Sequence, residues 1–437
     1  MVKAIRFFSL LFLIFIVIPF LPQAVYNIMN HGLAHIKFYE QGSFLNLNFR
    51  FVKDVIMIVL LGLFLLHDLI MIKTEPNRWR LIPYYLLAAL TAYGVCVMNF
   101  QEQNVSMVQV VAGIRSLLLV LLCYKVLRYL QEPKFRQKFN ITLAVLIVVE
   151  FVVLLLQYIT FFQVYGLTNP FSLRLIGTYG SFSTAGYFGL GASCYIFMSR
   201  SFRFTPVLQV LCFAICMFSG TRSALLGVTI IMAITLFRKL LESSTTSHKR
   251  DLYMILLSLG SVGSYFLIQF MSMISERGSI VGAQVEGGRI EIFLRVFKEN
   301  TLAELIFGKG MGFGTNAVVN TIKETSGTYD RSQIMDGTLN SLLVQYGLIL
   351  VALLCLYLLH VYVVHFKTYN TRRLEMVTLV LVCLLMCSAI NIFEQFTFLF
   401  LFFVSFYLVR IDPQPASIET AEDHPVHVQS GSRVVTT

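Results

Sequence analysis

The sequence predicts an all-α, polytopic membrane protein with about twelve transmembrane helices and a large outside loop between helices nine and ten. Three observations lead to this fold class. Hydrophobic residues make up 57% of the 437 residues and charged residues only 13%, about half the charged share of soluble proteins. Apolar runs long enough to cross a bilayer recur along the chain. The cations between these runs collect on one side if successive runs alternate in direction.

Composition also excludes several classes of function. A net charge of +11 would suggest a nucleic-acid partner in a soluble chain, but here it belongs to the cationic loops that orient a membrane protein, so no nucleic acid is expected. The eight cysteines all lie in apolar runs and show no metal-ligand or disulfide pattern. His31 and His35 have i, i+4 spacing but no third ligand. We therefore predict neither a metal nor a cofactor.

The predicted spans, in chain order, are 6–28, 53–72, 81–99, 106–127, 140–162, 185–199, 205–219, 223–240, 252–272, 339–364, 375–391 and 395–410. The first follows Lys3 and Arg6, as a signal peptide would, but it is too long and lacks a clear cleavage site. We interpret it as a span. Residues 1–411 then form the membrane domain, and the polar residues 412–437 form a disordered cytoplasmic tail.

The cations of alternate loops fix the predicted orientation. They are Lys73, Arg78, Arg80, Lys125, Arg128, Lys134, Arg136, Lys138, Arg200, Arg203, Arg238, Lys239, Lys249, Arg250, Lys367, Arg372 and Arg373. The short loops on the other side are poor in cations, so the positive-inside rule places both termini in the cytoplasm. Residues 163–184 and about 273–338 are then outside. In the second segment, Ile290, Phe293, Leu294 and Phe297 recur at helical spacing, which predicts an amphipathic surface helix acting as a lid or packing over the span mouths.

Arginines inside or at the lip of the spans are the main functional signal, because a guanidinium in hydrocarbon normally lines a cavity and meets an anion. Arg115 lies well inside an apolar run. Arg222 follows a turn between two short spans, where it is either a snorkelling interfacial anchor or a phosphate clamp. Glu150 lies near the middle of the fifth span and either pairs with Arg115 or lines a substrate cavity or proton path with it.

Further candidates lie on the predicted outer face. Arg174 and Tyr179 belong to a segment of small and polar residues, and Arg289 opens part of the long loop. Several cations without matching acids suggest an anionic ligand such as a lipid-linked phosphate.

Two more stretches of the long loop carry possible chemistry. The glycine-rich run 308–314 is an anion-binding backbone nest or an ordinary turn, and it is not a Walker A loop. Asp336 and Asn340 precede or open the tenth span at the expected cavity mouth, although Asp336 is equally explained as a helix N-cap.

In this order, these stretches resemble the O-antigen polymerase and ligase superfamily of bacterial membrane glycosyltransferases. The matching stretches are Arg174-Leu-Ile-Gly177, Ser219 to Leu226, Gly287-Gly288-Arg289, Gly308 to Gly312, Leu339-Asn340-Ser341 and Tyr346-Gly347-Leu348. The resemblance covers roughly residues 170–350 by motif and the whole chain by architecture. Ligases of this superfamily carry a His-Asn pair before the tenth span. Here Leu339 takes the place of that His, which favours a polymerase.

The resemblance implies an enzyme in the bacterial cytoplasmic membrane that polymerises undecaprenyl-diphosphate-linked repeats at the outer face. Arg222, Arg289 and Asp336 would be catalytic, and Arg115, Arg174, Glu150, Tyr179 and Asn340 would bind substrate, with Glu150 a second candidate for the base. Membrane lipids, a chain-length regulator and a flippase are the partners that such a role implies. A ligase with another acceptor, such as lipid A core, shares the chemistry. A secondary transporter is the alternative of a different class, because twelve spans with both ends inside is a common transporter plan.

Overall fold

The protein, described here from a computed structural model, is helical and has no strand in the part of the chain that the structure describes. That part comprises residues 1–17, 44–74, 78–100, 107–165, 175, 177–179, 182–199, 202, 204–242, 294, 296–298, 300–313, 315, 337–368 and 372–411. The predicted ninth span (252–272) and the predicted tail (412–437) lie outside it.

The α-helices of the described residues are α1 (Val2–Val17), α2 (Phe44–Thr74), α3 (Ile82–Phe100), α4 (Met107–Tyr129), α5 (Pro133–Tyr165), α6 (Phe182–Ser199), α7 (Thr205–Ser219), α8 (Arg222–Glu242), α9 (Leu302–Phe307), α10 (Thr338–Thr368), α11 (Arg373–Ala389) and α12 (Phe396–Ile411). Two short 3-10 turns, Arg78–Leu81 and Gly177–Tyr179, precede α3 and α6.

Four of these helices, α2, α3, α5 and α10, are long and apolar enough to cross a membrane. Their apolar side chains remain exposed on the outside of the bundle; in α10 every residue from 352 to 360 is exposed. Such a surface is stable in lipid and unfavourable in water. The protein is therefore an α-helical membrane protein. Apart from the first, of which residues 6–17 are described, and the ninth, the other predicted spans coincide with described helices, and twelve crossings remain a prediction.

Helix α6 forms the centre of the bundle and is buried at every residue from 185 to 199. Glycines allow its neighbours to approach closely. A side chain at Gly189 would come within 2.9 Å of Cys216 Sγ in α7, and one at Gly191 within 3.2 Å of Leu401 Cβ in α12. Small residues at helix contacts are typical of membrane bundles, where close packing stabilises association.

Aromatic side chains fill the space around this centre. The Phe12 and Phe400 rings meet edge to face at 5.6 Å, and the Phe139 and Tyr195 rings lie 5.2 Å apart. The buried Tyr195 hydroxyl donates to Asn140 Oδ1 at 2.6 Å, so its polar atom is satisfied inside the core. These contacts join α1, α5, α6 and α12.

Ion pairs mark one end of the bundle, called the basic end here. Cations that the sequence places in cytoplasmic loops meet acids from neighbouring helices there. The pairs are Arg6–Glu132, Lys125–Asp68, Arg128–Asp68 and Arg238–Glu375. The loops on the predicted cytoplasmic side thus share one end of the molecule. This is required if successive helices run in opposite directions.

Hydrogen bonds between the other helix ends define the opposite end, called the site end here. They are Thr178 Oγ1 to Val17 O, Thr397 Oγ1 to Ile16 O, Leu175 N to Phe218 O, Ser116 Oγ to Phe393 O and Arg115 Nε to Asp54 Oδ1. The segment around 175–179, predicted to be outside, therefore lies at the end opposite the cationic loops. Which side of a membrane each end faces stays a prediction.

Candidate functional site

Arg115 lies at the site end in a small cluster of charges. Its Nε donates to Asp54 Oδ1 at 2.8 Å, and its guanidinium carbon lies 4.4 Å from the centre of the Phe396 ring. Lys53 Nζ approaches the same ring at 5.7 Å. Two cations thus flank one aromatic ring beside a single carboxylate, an arrangement in which cation–π contact offsets part of the cost of placing charge near the bilayer.

Within the described part of the chain, the Arg115 guanidinium is engaged through Nε, and its two terminal nitrogens make no hydrogen bond there. The side chain as a whole is 30% exposed. A guanidinium held at Nε is suited to a phosphate, because its remaining N–H groups can present parallel donors to two oxygens.

Glu150 is not the partner of Arg115, so the ion pair considered between them is wrong. The Glu150 carboxylate is fully buried in α5 and accepts from the backbone N–H of Thr178 at 3.1 Å. Thr178 Oγ1 lies 2.6 Å from Glu150 Oε2 and 3.2 Å from Val17 O. Glu150 therefore holds the turn Gly177–Tyr179 and, through Thr178, the end of α1.

Gln157 completes this clamp, defined here as Glu150 and Gln157 with the turn Gly177–Tyr179. Its amide accepts from Gly177 N at 2.9 Å and donates to Gly177 O at 3.2 Å. Gly177 has a φ of 58°, and a side chain there would collide with Glu150 Oε1. Backbone groups that have no helical partner are thereby satisfied inside the bundle, as a membrane environment demands.

Arg222 begins α8 directly after a tight turn. Gly220 ends α7 in the left-handed conformation (φ 62°, ψ 22°), and its N–H donates to Met217 O. Thr221 and Ser219 are buried, with their hydroxyl oxygens 3.2 Å apart. Arg222 itself is half-buried. Its position in the first turn of α8 adds the helix dipole to its own charge, and both favour an anion.

The turn that carries Arg222 lies beside the clamp. Leu175 N donates to Phe218 O at 3.1 Å, so the chain just before the Gly177–Tyr179 turn pairs with the last residues of α7. The Phe151 and Tyr158 rings of α5 lie 6.2 and 5.5 Å from the Phe218 ring. Glu150, the 175–179 segment and Arg222 therefore belong to one end of the bundle. That is also the end that holds Arg115.

Asn340 opens α10 at this end and is 7% exposed. The neighbouring polar groups form a web: Asn391 Nδ2 and Gln345 Nε2 both donate to Ser341 Oγ, at 2.8 and 2.7 Å. Thr338 Oγ1 donates to Ile390 O and accepts from Ile392 N. This web ties the start of α10 to the α11–α12 connection.

The glycine-rich run 308–314, considered as an anion nest, has several of its N–H groups engaged within the protein. Lys309 N donates to Val344 O, Gly310 N to Gln345 O, and Gly312 N to Gln345 Oε1, at 2.6, 3.1 and 3.0 Å. The Lys309 ammonium lies 3.5 Å from Glu304 Oε1. The run is a docking segment for α10, so the simpler interpretation as a turn is closer to the structure.

Several predicted site residues fall outside the described part of the chain. Arg174, Arg289 and Asp336 are among them, as is the side chain of Tyr179. Convergence of Arg222 and Arg289 on one ligand, and the N-cap role of Asp336, stay predictions. Of the predicted amphipathic helix, residues 294 and 296–298 are helical; Leu294 and Phe297 are 49% and 44% exposed, while Val296 is buried.

Sequence reasoning missed the acids that pair with the buried cations. From the sequence, Asp54 and Asp68 have no assigned role, and Glu150 is considered as the partner of Arg115. Asp68 is in fact 3% exposed and accepts from Lys125 Nζ at 2.5 Å and Tyr84 OH at 3.2 Å. A signal existed for both acids, because an aspartate within an apolar span requires a cation at its own depth.

Together these features define an α-helical membrane protein with a polar, cation-bearing site end and a salt-bridged basic end. His, Cys, Asp and Glu form no group of three that could hold a metal ion within the described ranges. Comparisons with protein-family models, with curated proteins and with solved structures found no match. Sequence motifs and site geometry therefore carry the functional argument.

Proposed function

We propose that this protein is a membrane glycosyltransferase that polymerises undecaprenyl-diphosphate-linked oligosaccharide repeats into a bacterial surface polysaccharide. It acts at the outer face of the cytoplasmic membrane, with both termini in the cytoplasm and twelve spans. The site end then faces outward. Its substrates reach it from the bilayer, delivered by a flippase, and a chain-length regulator acts beside it.

One observation carries this proposal. Arg115 is held through Nε by Asp54 and by the Phe396 ring, and its side chain is 30% exposed at the site end. Arg222 lies at the same end, in the first turn of α8. Cations placed there rather than with the basic loops have no role in orienting the chain, so an anionic ligand at membrane level is the simplest reason for them.

In the proposed reaction, the bond between the anomeric carbon of the growing glycan and its lipid diphosphate breaks. A bond forms to a hydroxyl at the non-reducing end of the next lipid-linked repeat. Arg222 and Arg289 stabilise the charge that develops on the diphosphate, with Arg115 and Arg174 in support. Asp336 takes the hydroxyl proton. A single displacement inverts the anomeric centre.

The geometry around Glu150 favours a positioning role for that residue. Its carboxylate is fully buried and engaged by Thr178, whereas a base must reach the acceptor hydroxyl. By holding the Gly177–Tyr179 turn next to the Arg222 turn, the clamp would set the placement of Arg174 and Tyr179. Of the two candidates for the base, this leaves Asp336.

The proposal is tested by replacing Arg222 and Arg289 separately with alanine and separating the surface polysaccharide on a gel. Single-repeat products in place of a ladder are expected. Arg128→Ala is the matched control, because this arginine lies at the basic end with a half-exposed side chain. An unchanged ladder in both variants, at normal protein levels, contradicts the proposal.

A ligase shares this chemistry and differs in its acceptor; transfer of finished polymer to lipid A core, with no effect on chain length, would identify it.

A secondary transporter is a second candidate, and the interruption of α10 at Gly347 favours it, because discontinuous helices often form transport sites. Solute uptake that is lost in Gly347 variants while the polysaccharide ladder is unchanged would support the transporter.

A further inference from the structure

Helix α10 is interrupted inside its membrane-spanning segment. Gly347 has φ 74° and ψ 171°, which divides the helix into residues 338–346 and 348–368. The interruption lies within the apolar stretch Thr338–Val364 and is buried, as are the residues 343–346 before it. Non-helical backbone at this depth is stable only where other parts of the protein satisfy its polar groups.

The segment 308–313, which follows α9, supplies those partners. Lys309 N donates to Val344 O, and Gly310 N donates to Gln345 O. In a continuous α-helix the same two carbonyls accept from the N–H groups of Leu348 and Ile349, four residues further on. The docked segment and the helix itself therefore compete for the same two acceptors.

Two glycines make this docking possible. At Gly347 the positive φ disfavours any side chain, and a Cβ would also collide with Ile306 O. At Gly308, whose φ is 83°, a Cβ would lie 2.5 Å from Gln345 O. The Tyr93 hydroxyl donates to Phe307 O at 3.0 Å, which fixes the end of α9 against α3.

Met311 holds the segment against two further helices. Its side chain is fully buried, and it fills a notch that exists because Gly94 of α3 and Gly113 of α4 have no side chains. A Cβ at Gly94 would lie 2.8 Å from Met311 Cβ, and one at Gly113 would collide with Met311 Cγ. The Gln345 amide adds a link by accepting from Gly312 N and donating to Ser341 Oγ.

We propose that residues 308–313 form a releasable latch that controls the shape of α10. In the docked state, the one described here, the latch replaces the helical donors and α10 is broken. In the released state, Leu348 and Ile349 donate to the freed carbonyls, Gly347 becomes helical, and residues 308–313 leave α3 and α4. The two carbonyls keep one hydrogen bond each, but release gives up the bond from Gly312 N to Gln345 Oε1 and the burial of Met311, so the docked state predominates and release is transient.

A consequence for catalysis rests on the proposed function. The latch belongs to the predicted outside loop, between Arg289 and Asp336 in the sequence. Release of residues 308–313 would admit a bulky lipid-linked glycan, and docking would close the site again. The existence of the two states does not depend on this consequence.

The latch is tested in the full-length protein with its native cysteines replaced and Met311→Cys introduced. In the docked state this thiol is buried against Gly94 and Gly113, so it reacts with a polyethylene-glycol maleimide only while the latch is released. The mass added on a gel measures the labelled fraction. Slow labelling is expected; labelling as fast as that of an exposed cysteine would show that the docked state is wrong, and no labelling of folded protein would show that the latch is never released.

Two further substitutions shift the balance from opposite sides. Gly347→Ala disfavours the break in α10, and Gly308→Ala obstructs docking without changing α10. Each is expected to speed labelling of Met311→Cys at least tenfold. Gly62→Ala, in α2 with open space around it, is the control and leaves the rate unchanged. Equal rates in all variants would overturn the latch, and so would failure of both variants to fold, which would make the break a permanent part of the fold.

The activity of the labelled protein separates this inference from the proposed function. A polyethylene-glycol group at position 311 prevents docking and is expected to stop chain elongation. If Gly347→Ala speeds labelling but the labelled protein still makes a full ladder, the latch stands and its role in admitting glycan is wrong. If no variant, labelled or unlabelled, ever changes the polysaccharide, the proposed function fails and the latch is unaffected.

Discussion

At the scale of single residues, Arg115 illustrates how a membrane protein supports a guanidinium through one of its nitrogens. Asp54 and the Phe396 ring stabilise its charge from one side. This support lowers the cost of holding the charge near lipid without using the terminal nitrogens. A residue whose role was only to pair with Asp54 would tolerate a lysine in its place.

We expect Arg115→Ala to slow polymerisation about 10²-fold or more, the usual cost of removing one preorganised donor from a transition state. Arg115→Lys keeps the pair with Asp54 but not the fork of donors. Its rate should therefore fall between the rate of the unsubstituted protein and that of Arg115→Ala. The measurement is the rate of ladder formation in membranes supplied with lipid-linked repeats. Arg128→Ala, in the same helix at the basic end, is the control, and an active Arg115→Ala variant would exclude a role in binding diphosphate.

Glu150 provides a second test at this scale, because its two possible roles respond differently to glutamine. Gln can still accept from Thr178 N and engage Thr178 Oγ1, so Glu150→Gln should keep most of the activity and stability. Glu150→Ala leaves a buried N–H without its acceptor, which costs about 1–3 kcal/mol. Thermal unfolding in detergent measures the stability, and the gel ladder measures the activity. Loss of activity in Glu150→Gln with unchanged stability would restore this residue as the base.

The sequence identified the unusual charges in the spans but not their partners. Arg115 and Glu150 stood out because charge inside an apolar run is costly. Their partners could not be predicted, since Asp54 lies 61 positions from Arg115 and Thr178 lies 28 from Glu150. Such distances depend on how helices pack, which one sequence does not reveal. The roles of Arg174, Arg289 and Asp336 stay predictions for another reason, because they lie outside the described residues.

At the scale of elements, the apolar runs located the helices well because a run of that length has few alternatives in lipid. The interruption of α10 was different. Gly347 lies in an apolar run that continues on both sides, and a glycine alone is compatible with an unbroken helix. The break depends on the segment 308–313, which supplies the donors from 34 or more residues upstream.

The packing of α6 leads to a prediction for whole elements. Gly189→Ala would place a methyl group 2.9 Å from Cys216 Sγ and 3.0 Å from Cys212 O, so α6 and α7 must separate. Overpacking of this kind costs about 1–3 kcal/mol. Gly62→Ala in α2 meets open space and should be neutral or stabilise by up to about 1 kcal/mol. Unfolding of the purified protein in a denaturing detergent compares the two, and equal stabilities would contradict the close packing of α6.

At the scale of the whole molecule, the two ends differ in how their charges are used. At the basic end, arginines and lysines of the loops form ion pairs such as Arg238–Glu375. At the site end, buried polar groups are satisfied mainly by backbone and by neutral side chains, as in the clamp and the α10 web. The same distribution underlies the predicted orientation, because cations in short loops are retained on the cytoplasmic side.

This orientation predicts opposite labelling of two exposed positions in intact cells. In a chain without its native cysteines, Ala303→Cys in α9 should react with a membrane-impermeant maleimide, because this residue is exposed and belongs to the predicted outside loop. Lys134→Cys, exposed at the start of α5 next to Glu132 and the basic end, should react only after the cells are broken. The two positions serve as controls for each other, since both are accessible in purified protein. Labelling of Lys134→Cys but not of Ala303→Cys in intact cells would invert the molecule and turn the guanidinium of Arg115 toward the cytoplasm, where an enzyme that extends a surface polysaccharide cannot act.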